Sequence, residues 1–240
     1  MVSQNTVVTK IEKEDVEKFK YYMKEELGFR HNTIASYIKD LKTFWNWLLG
    51  ENYVSEKIVE REPLKENPIV TIPPNTFDEI LKIFKKRNIK HYNFIMFLKL
   101  TGFRVSEAIN LVWSDFDFAT RRIKLKNQKG KRDDLFPLYP EVEKLVKSFP
   151  REGEKVFDFK NKDSTKFWNK EMKRLGYNYT LHSIRKTFAT DLVNGKVSVF
   201  DAMKLLRHRN INTTMKYYTF VDLSRIGNEA DRIFSKNEPK

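Results

Sequence analysis

The chain contains no cysteine. A disulfide scaffold, a thiolate zinc site, an iron–sulfur cluster and a cysteine nucleophile are therefore all excluded. Histidine is scarce, four in 240 residues, which argues against a histidine-rich metal cage. No uninterrupted apolar run approaches the roughly 18 residues that a membrane-spanning helix needs. The opening Met1-Val-Ser-Gln-Asn-Thr6 lacks the basic start and apolar stretch of a signal peptide, so an intracellular protein is expected. What is present is apolar enough for a true core. Hydrophobic residues make up 40% and aromatics 14%, which excludes global disorder, and the length suits one or two domains.

Charge is unevenly spread. The chain has 46 Lys+Arg against 32 Asp+Glu, a net +14. Residues 1–70 hold 11 basic and 12 acidic side chains and net −1, so the remaining 35 and 20 give residues 71–240 a net +15. A basic excess of this size points to a polyanion, either nucleic acid or an anionic membrane surface, and its asymmetry points to two units with different tasks. Pro63, Pro68, Pro73 and Pro74 mark the seam, where they forbid a continuous helix. The expected division is a helical unit at 1–66, a proline-rich linker at 67–75 and a second unit at 76–240.

Apolar spacing gives mostly helices. Val16, Phe19, Met23 and Leu27 recur at helical intervals before Gly28; Ile34, Ile38, Leu41, Trp45 and Leu48 do so before Gly50. Short helical turns are expected within 52–61. In the second unit Thr76-Phe-Asp-Glu79 has the form of a capping box, and an apolar helix over 91–101 ends at Gly102. The pattern then changes. Residues 122–126 and 134–138 alternate about a turn containing Gly130, which predicts a β-hairpin whose second strand, with Pro137, lies at an edge. Helices resume from Pro140: one closing at Gly176, one carrying Leu181 to Leu192, one opened by Ser198, a short one capped by Asn212 and a terminal one over Leu223 to Phe234. The expected fold class is mainly α with a small antiparallel β-sheet.

Several residues are suited to holding a phosphate. His182 and Arg185 lie three apart on one helix and so share a face. The planar fork of arginine matches phosphate and does not titrate away, although most such pairs are surface accidents. Arg104 follows a glycine break and precedes a new helix, the place for an anion site; the plainer reading is a surface pair with Glu107. Lys129 sits at the hairpin tip among Lys126, Lys131 and Arg132, either a basic finger or a solvated turn. Tyr217 lies nine residues after His208. A phenol near its ordinary pKa of about 10 is a poor nucleophile until cations and a base assist it, and a core tyrosine is the commoner explanation of any one such residue.

Together these segments resemble the tyrosine recombinase (phage integrase) family, especially its compact Xer-like members. Thr101-Gly-Phe-Arg-Val-Ser-Glu107 is similar to the segment around the family's first catalytic arginine. Lys129-Gly-Lys-Arg-Asp-Asp-Leu-Phe-Pro-Leu138 is similar to its hairpin lysine and following strand, and Leu181-His-Ser-Ile-Arg185 to its His-x-x-Arg helix. Leu205-Leu-Arg-His208 and Ile211-Asn-Thr-Thr-Met-Lys-Tyr217 are similar to its closing histidine-to-tyrosine segment, and Asn32 to Tyr37 to its helical core-binding domain. Two departures stand out. Arg207 occupies the place of the usual glycine before the histidine, where an altered turn or an added phosphate contact is expected. Tyr218 adjoins Tyr217, and spacing favours Tyr217 as the nucleophile.

The resemblance implies a helical core-binding domain followed by a mixed α/β catalytic domain that together close on duplex DNA. It implies a site-specific recombinase that cleaves and religates DNA through a 3′-phosphotyrosyl bond, in integration, excision or resolution. Tyr217 would attack phosphorus, Arg104 and Arg185 would clamp the non-bridging oxygens, and Lys129 would protonate the leaving 5′-oxygen. His182 would assist proton transfer at the tyrosine and His208 would hydrogen-bond the phosphate. No metal or other cofactor is implied. Further DNA contacts are expected from Arg30, Lys39, Lys42, Lys126, Lys131, Arg132 and Arg207. Expected partners are double-stranded DNA and further copies of the chain, assembled as a tetramer on synapsed sites with the tail helix exchanged between protomers; the expected location is the cytoplasm, at the nucleoid. Three rivals remain: a non-catalytic DNA-binding protein on the same fold, a topoisomerase with the same chemistry, and a metal nuclease built on Asp115, Asp117, Asp133 and Asp134.

Overall fold

The computed structural model describes residues 7–126, 133–218 and 223–234. It divides into two compact units, 1–68 and 69–240.

The first unit is a helical hairpin closed by an extended strap. Helix α1 runs Lys13–Glu25 and α2 runs His31–Gly50. Gly28, at φ 62°, takes the left-handed turn between them, where a side chain would be strained. Val16 and Met23 of α1 pack on Ile34, Ile38, Trp45 and Leu48 of α2. Phe19 and Leu27, expected in this core, are 42% and 45% exposed. A two-helix layer buries only a narrow stripe of each partner, and the outer flank of α1 stays wet. The expected helical turns within 52–61 are absent as well. Asn52 adopts a left-handed φ of 60°, and the chain then lies extended across α2. Three side chains of α2 fasten this strap. The Trp45 indole donates to the Glu56 carbonyl at 2.8 Å, His31 Nε2 lies 2.7 Å from the Pro63 carbonyl, and Asn32 pairs with both backbone groups of Lys65 at 2.9 Å. Backbone groups that find side-chain partners in this way have no need of a helix. Asn32, read as a family marker, is thus a structural clamp.

The second unit is built around α4 (Ile89–Thr101), which packs on α3 (Pro74–Arg87), α6 (Pro140–Lys147) and α8 (Leu181–Asn194). Helix α3 begins two residues before the expected Thr76 box. Pro74 at the first position has no N–H to satisfy, so it opens the helix without a side-chain cap. Interlocked rings fill the core, among them Phe94, Phe97, Phe103, Phe136 and Phe157, with Phe103 edge-on to both Phe97 and Phe136. Short helix α5 (Val105–Ile109) and a 3₁₀ turn lead into a three-stranded antiparallel sheet of β1 (Phe116–Asp117), β2 (Arg122–Leu125) and β3 (Asp134–Pro137), in the order β1-β2-β3. Ile123 faces Phe136 across the ladder and both are buried, which fixes the register; Pro137 lies on an edge strand, as its missing donor requires.

The remaining helices are α7 (Asn161–Arg174), α9 (Val199–Leu206), α10 (Ile211–Met215) and α11 (Leu223–Phe234). Ser198 caps α9 by accepting from the Asp201 N–H, as its spacing predicts. The cap of α10 is Asn210 rather than Asn212: its side chain accepts from the Asn212 N–H at 2.9 Å, so the helix starts earlier and ends before Tyr217. Among the described residues no helix is long and apolar enough to cross a membrane.

Candidate active site

The site is assembled around the turn that ends α9. Helix α4 stops at Gly102, whose φ of 59° is left-handed and where a Cβ would stand 2.2 Å from the Phe188 ring. No other residue type fits both constraints. The tight stop aims the Gly102 carbonyl at α8, where Arg185 Nη1 donates to it at 2.6 Å. Arg185 Nη2 donates to the Leu206 carbonyl. Arg185 is 4% exposed, and burial, with Arg104 and Arg207 adding to it, pushes its pKa down to about 9, which still leaves it charged at neutral pH.

Arg104 is the residue before α5, and its N–H donates to Glu107 Oε2 at 2.8 Å. Its Nη1 meets Glu107 Oε1 at 2.5 Å, and its Nη2 reaches the Arg207 carbonyl at 3.3 Å. Consecutive carbonyls, those of Leu206 and Arg207, therefore receive the two arginines that sequence singled out. They can do so because Arg207 is left-handed, with φ 52° and ψ 42°. That conformation is the physical reason glycine would suit the place. Expected as a DNA contact, Arg207 is instead turned inward. Its side chain is 4% exposed, its Nη2 donates to Glu107 Oε2 at 2.7 Å, and its guanidinium lies 4.3 Å from the Phe103 centroid. Burial acts to raise the Glu107 pKa, but Arg207 and Arg104 overcome it and hold the carboxyl below its ordinary value. Sequence showed Glu107 only as a surface partner of Arg104; its pairing with Arg207, 100 residues away, had no local signal.

His208 follows directly, with Nδ1 2.9 Å from the hydroxyl of the fully buried Thr214. Burial, then Arg185, Arg104, Arg207 and His182, push its pKa down to about 4. His182 is exposed in the first turn of α8, and its pKa is lowered by desolvation and then by Lys186, Arg185 and Arg104. Both rings are therefore neutral at pH 7. Tyr217 lies close enough to Arg185 for the cation to draw its pKa down, although burial outweighs this and leaves the phenol above its ordinary value. The neighbouring Tyr218 donates its hydroxyl to the Val197 carbonyl at 2.6 Å. The Tyr217 hydroxyl has no hydrogen-bond partner among the described residues.

A groove of about 1650 Å³ opens on this cluster, lined by Arg104, Glu107, His208, Lys124, Lys126 and the exposed Phe200 among others. Lys126 is exposed and lies 3.4 Å from Asp115. Lys129, Lys131 and Arg132 fall outside the described residues. In the first unit Arg30 and Lys39 are exposed and Lys42 is half-buried, with Lys39 and Lys42 one turn apart on α2. Three of the four carboxylates of the nuclease reading are spent locally. Asp115 accepts from the Val112 N–H, Asp117 caps the turn at Ala119 and Thr120, and Asp133 pairs with Lys124. Among the described residues no group of three or more acidic or histidine side chains is placed to hold a metal ion.

Known proteins resemble this chain over most of its length. Residues 71–223 match the model of the phage integrase family, and residues 3–67 that of the phage integrase SAM-like domain. A tyrosine recombinase of Thermosipho africanus is 31% identical over 235 residues, covering 90% of this chain and 82% of that protein. Tyrosine recombinase XerA of Saccharolobus solfataricus is 25% identical over 211 residues, covering 87% and 70%. Among solved structures, the Tn1549 transposon integrase in complex with circular intermediate DNA superposes with a TM-score of 0.77 at 20% identity, covering 92% of this chain and 85% of that one. A lambda integrase dimer bound to a core site gives 0.76 at 14% identity, covering 90% and 82%. With the family's model matched over residues 71–223, well over half of its length, this chain belongs to the phage integrase family, the tyrosine recombinases.

Proposed function

We propose that this protein is a site-specific DNA recombinase that cuts and rejoins duplex DNA through Tyr217. One observation carries the reading: Arg104 and Arg185 hang on adjacent carbonyls of the turn that also delivers His208, with the Tyr217 phenol within reach of the Arg185 charge. In the forward step the Tyr217 oxygen bonds to the scissile phosphorus while the bond to the 5′-oxygen breaks. The phenol gives up its proton and the departing 5′-oxygen gains one. Religation reverses this without an external energy source, because the phosphotyrosyl bond replaces the phosphodiester.

Arg185, locked at the base of the site, and Arg104, at its rim, balance the charge that grows on the non-bridging oxygens. A donor aimed at that developing charge is worth roughly 10²–10³ in rate. Tyr217 is protonated at neutral pH, so it needs a proton acceptor, and the neutral His182 is suited to that task. His208, oriented by Thr214, donates to the phosphate. Lys129 supplies the proton to the leaving oxygen. Arg30, Lys39, Lys42, Lys126, Lys131 and Arg132 contact the DNA backbone, and recombination proceeds in a tetramer of this chain on two sites, with the tail helix exchanged between protomers. The protein works in the cytoplasm at the nucleoid.

A nicked duplex that traps the covalent complex tests the proposal. Wild type is expected to yield a protein–DNA adduct that survives denaturation, and Tyr217→Phe to bind the duplex but yield none. Tyr218→Phe retains the adduct, since its hydroxyl is spent on Val197. A wild-type chain that binds DNA and never forms the adduct leaves only the non-catalytic DNA-binding reading.

A further inference from the structure

The departure at Arg207 has a chemical use. One carboxylate, Glu107, is shared by two arginines: Oε1 takes Arg104 Nη1 at 2.5 Å and Oε2 takes Arg207 Nη2 at 2.7 Å. The two arginines are not equally free. Arg104 has 45% of its side chain exposed, at the mouth of the groove. Arg207 has 4% exposed; its Nη1 donates to the Leu205 carbonyl at 2.6 Å, and its guanidinium is stacked over Phe103 and lies 5.6 Å from the Phe136 centroid. An anion entering the groove can therefore draw away Arg104 and cannot draw away Arg207.

The carboxylate left behind decides whether that transfer is easy. Glu107 has 21% of its side chain exposed. A carboxylate this shielded from water holds tightly to a sole cation, because losing it leaves a poorly solvated charge. A second, immobile cation removes the obstacle. We propose, on the reading of Arg104 as a phosphate ligand, that Arg207 is a positioning residue: it keeps Glu107 paired while Arg104 swings from the carboxylate to the scissile phosphate. Glycine at this place would preserve the left-handed turn and leave Arg104 as the only side-chain cation on Glu107 among the described residues.

Single-turnover adduct formation on the nicked duplex separates this role from others, using wild type, R207G, R207K, E107Q and the R207G/E107Q double variant. Glycine is at ease at a φ of 52°, so R207G keeps the turn. R207G is expected to slow cleavage by up to about 10²-fold through misplacement of Arg104, with DNA affinity little changed. Removing the charge on Glu107 then removes the reason for the loss, so R207G/E107Q is expected to cleave faster than R207G, and R207K to recover part of the wild-type rate. R207G cleaving as fast as wild type overturns the proposal. So does a double variant no faster than R207G, which is the pattern of an arginine that touches phosphate directly or serves only in packing. A wild type that forms no adduct overturns the recombinase reading and this proposal with it; normal wild-type cleavage with an unrescued R207G overturns this proposal alone.

Discussion

The start of α5 and the second turn of α8 each bring an arginine to the same turn, by opposite means. Arg185 is buried and its two terminal nitrogens are committed to the Gly102 and Leu206 carbonyls. Arg104 is half exposed and shares its contacts with a carboxylate and one distant carbonyl. Both can face one anion, but the first is part of the fold and the second is a movable arm. A site so divided has its charge organised before substrate arrives and still has a group able to close on it.

This difference predicts which substitutions cost stability as well as rate. Arg185→Ala is expected to have the largest combined effect, losing roughly 10²–10³ or more in cleavage rate and about 1–3 kcal/mol of stability as two inward carbonyls lose their donor. Arg104→Ala is expected to match it in rate while changing stability by less than about 1 kcal/mol, as exposed pairs do. Denaturant unfolding run beside adduct assays checks both; an Arg104 variant as unstable as the Arg185 one would erase the distinction. Gly102→Ala comes next. It places a methyl group against the Phe188 ring in a left-handed backbone, which should cost about 1–2 kcal/mol and displace the carbonyl that anchors Arg185. Its signature is a loss of cleavage that Arg185 substitutions do not deepen.

The histidines add a pH dependence to the same site. Unfolded histidine titrates near 6.5, whereas His208 in the fold titrates at about 4 and His182 is shifted the same way. Between those values the unfolded chain binds the extra proton. The stability contributed is complete above about 6.5 and drains as pH falls toward 4. Unfolding midpoints measured across that range should fall for wild type and fall less for His208→Asn. The smallest effects belong to the exposed side: Lys39→Ala or Lys42→Ala should each lower the slope of log affinity against log salt by about 1, leaving cleavage at saturating DNA unchanged.

Much of this site was legible because its residues lie in order on short segments. The step from Arg185 to His208 to Tyr217, the alternation on either side of the hairpin turn and the glycine after α4 are local facts, and local facts survive folding. What could not be read were partners chosen across the chain. Glu107 and Arg207 find each other across 100 residues. Phe19 follows helical spacing faithfully yet stays exposed, since only packing decides which face is covered. The strap after α2 is apolar enough for a helix but is claimed residue by residue by Trp45, His31 and Asn32. Asn210 displaced Asn212 as a cap because either asparagine suits the role, and only the path of the preceding turn chooses.

Tyr218 has a mechanical consequence beyond leaving the nucleophile to its neighbour. Its hydroxyl ties the end of the α10 segment to the Val197 carbonyl, in the connection between α8 and α9. On the proposed mechanism, a DNA strand attached at Tyr217 would pull on a chain moored one residue away. The load would pass through Val197 into the connection between α8 and α9 instead of peeling α10 from the domain. Such a mooring would hold a phosphotyrosyl bond close to the groups proposed to reverse it.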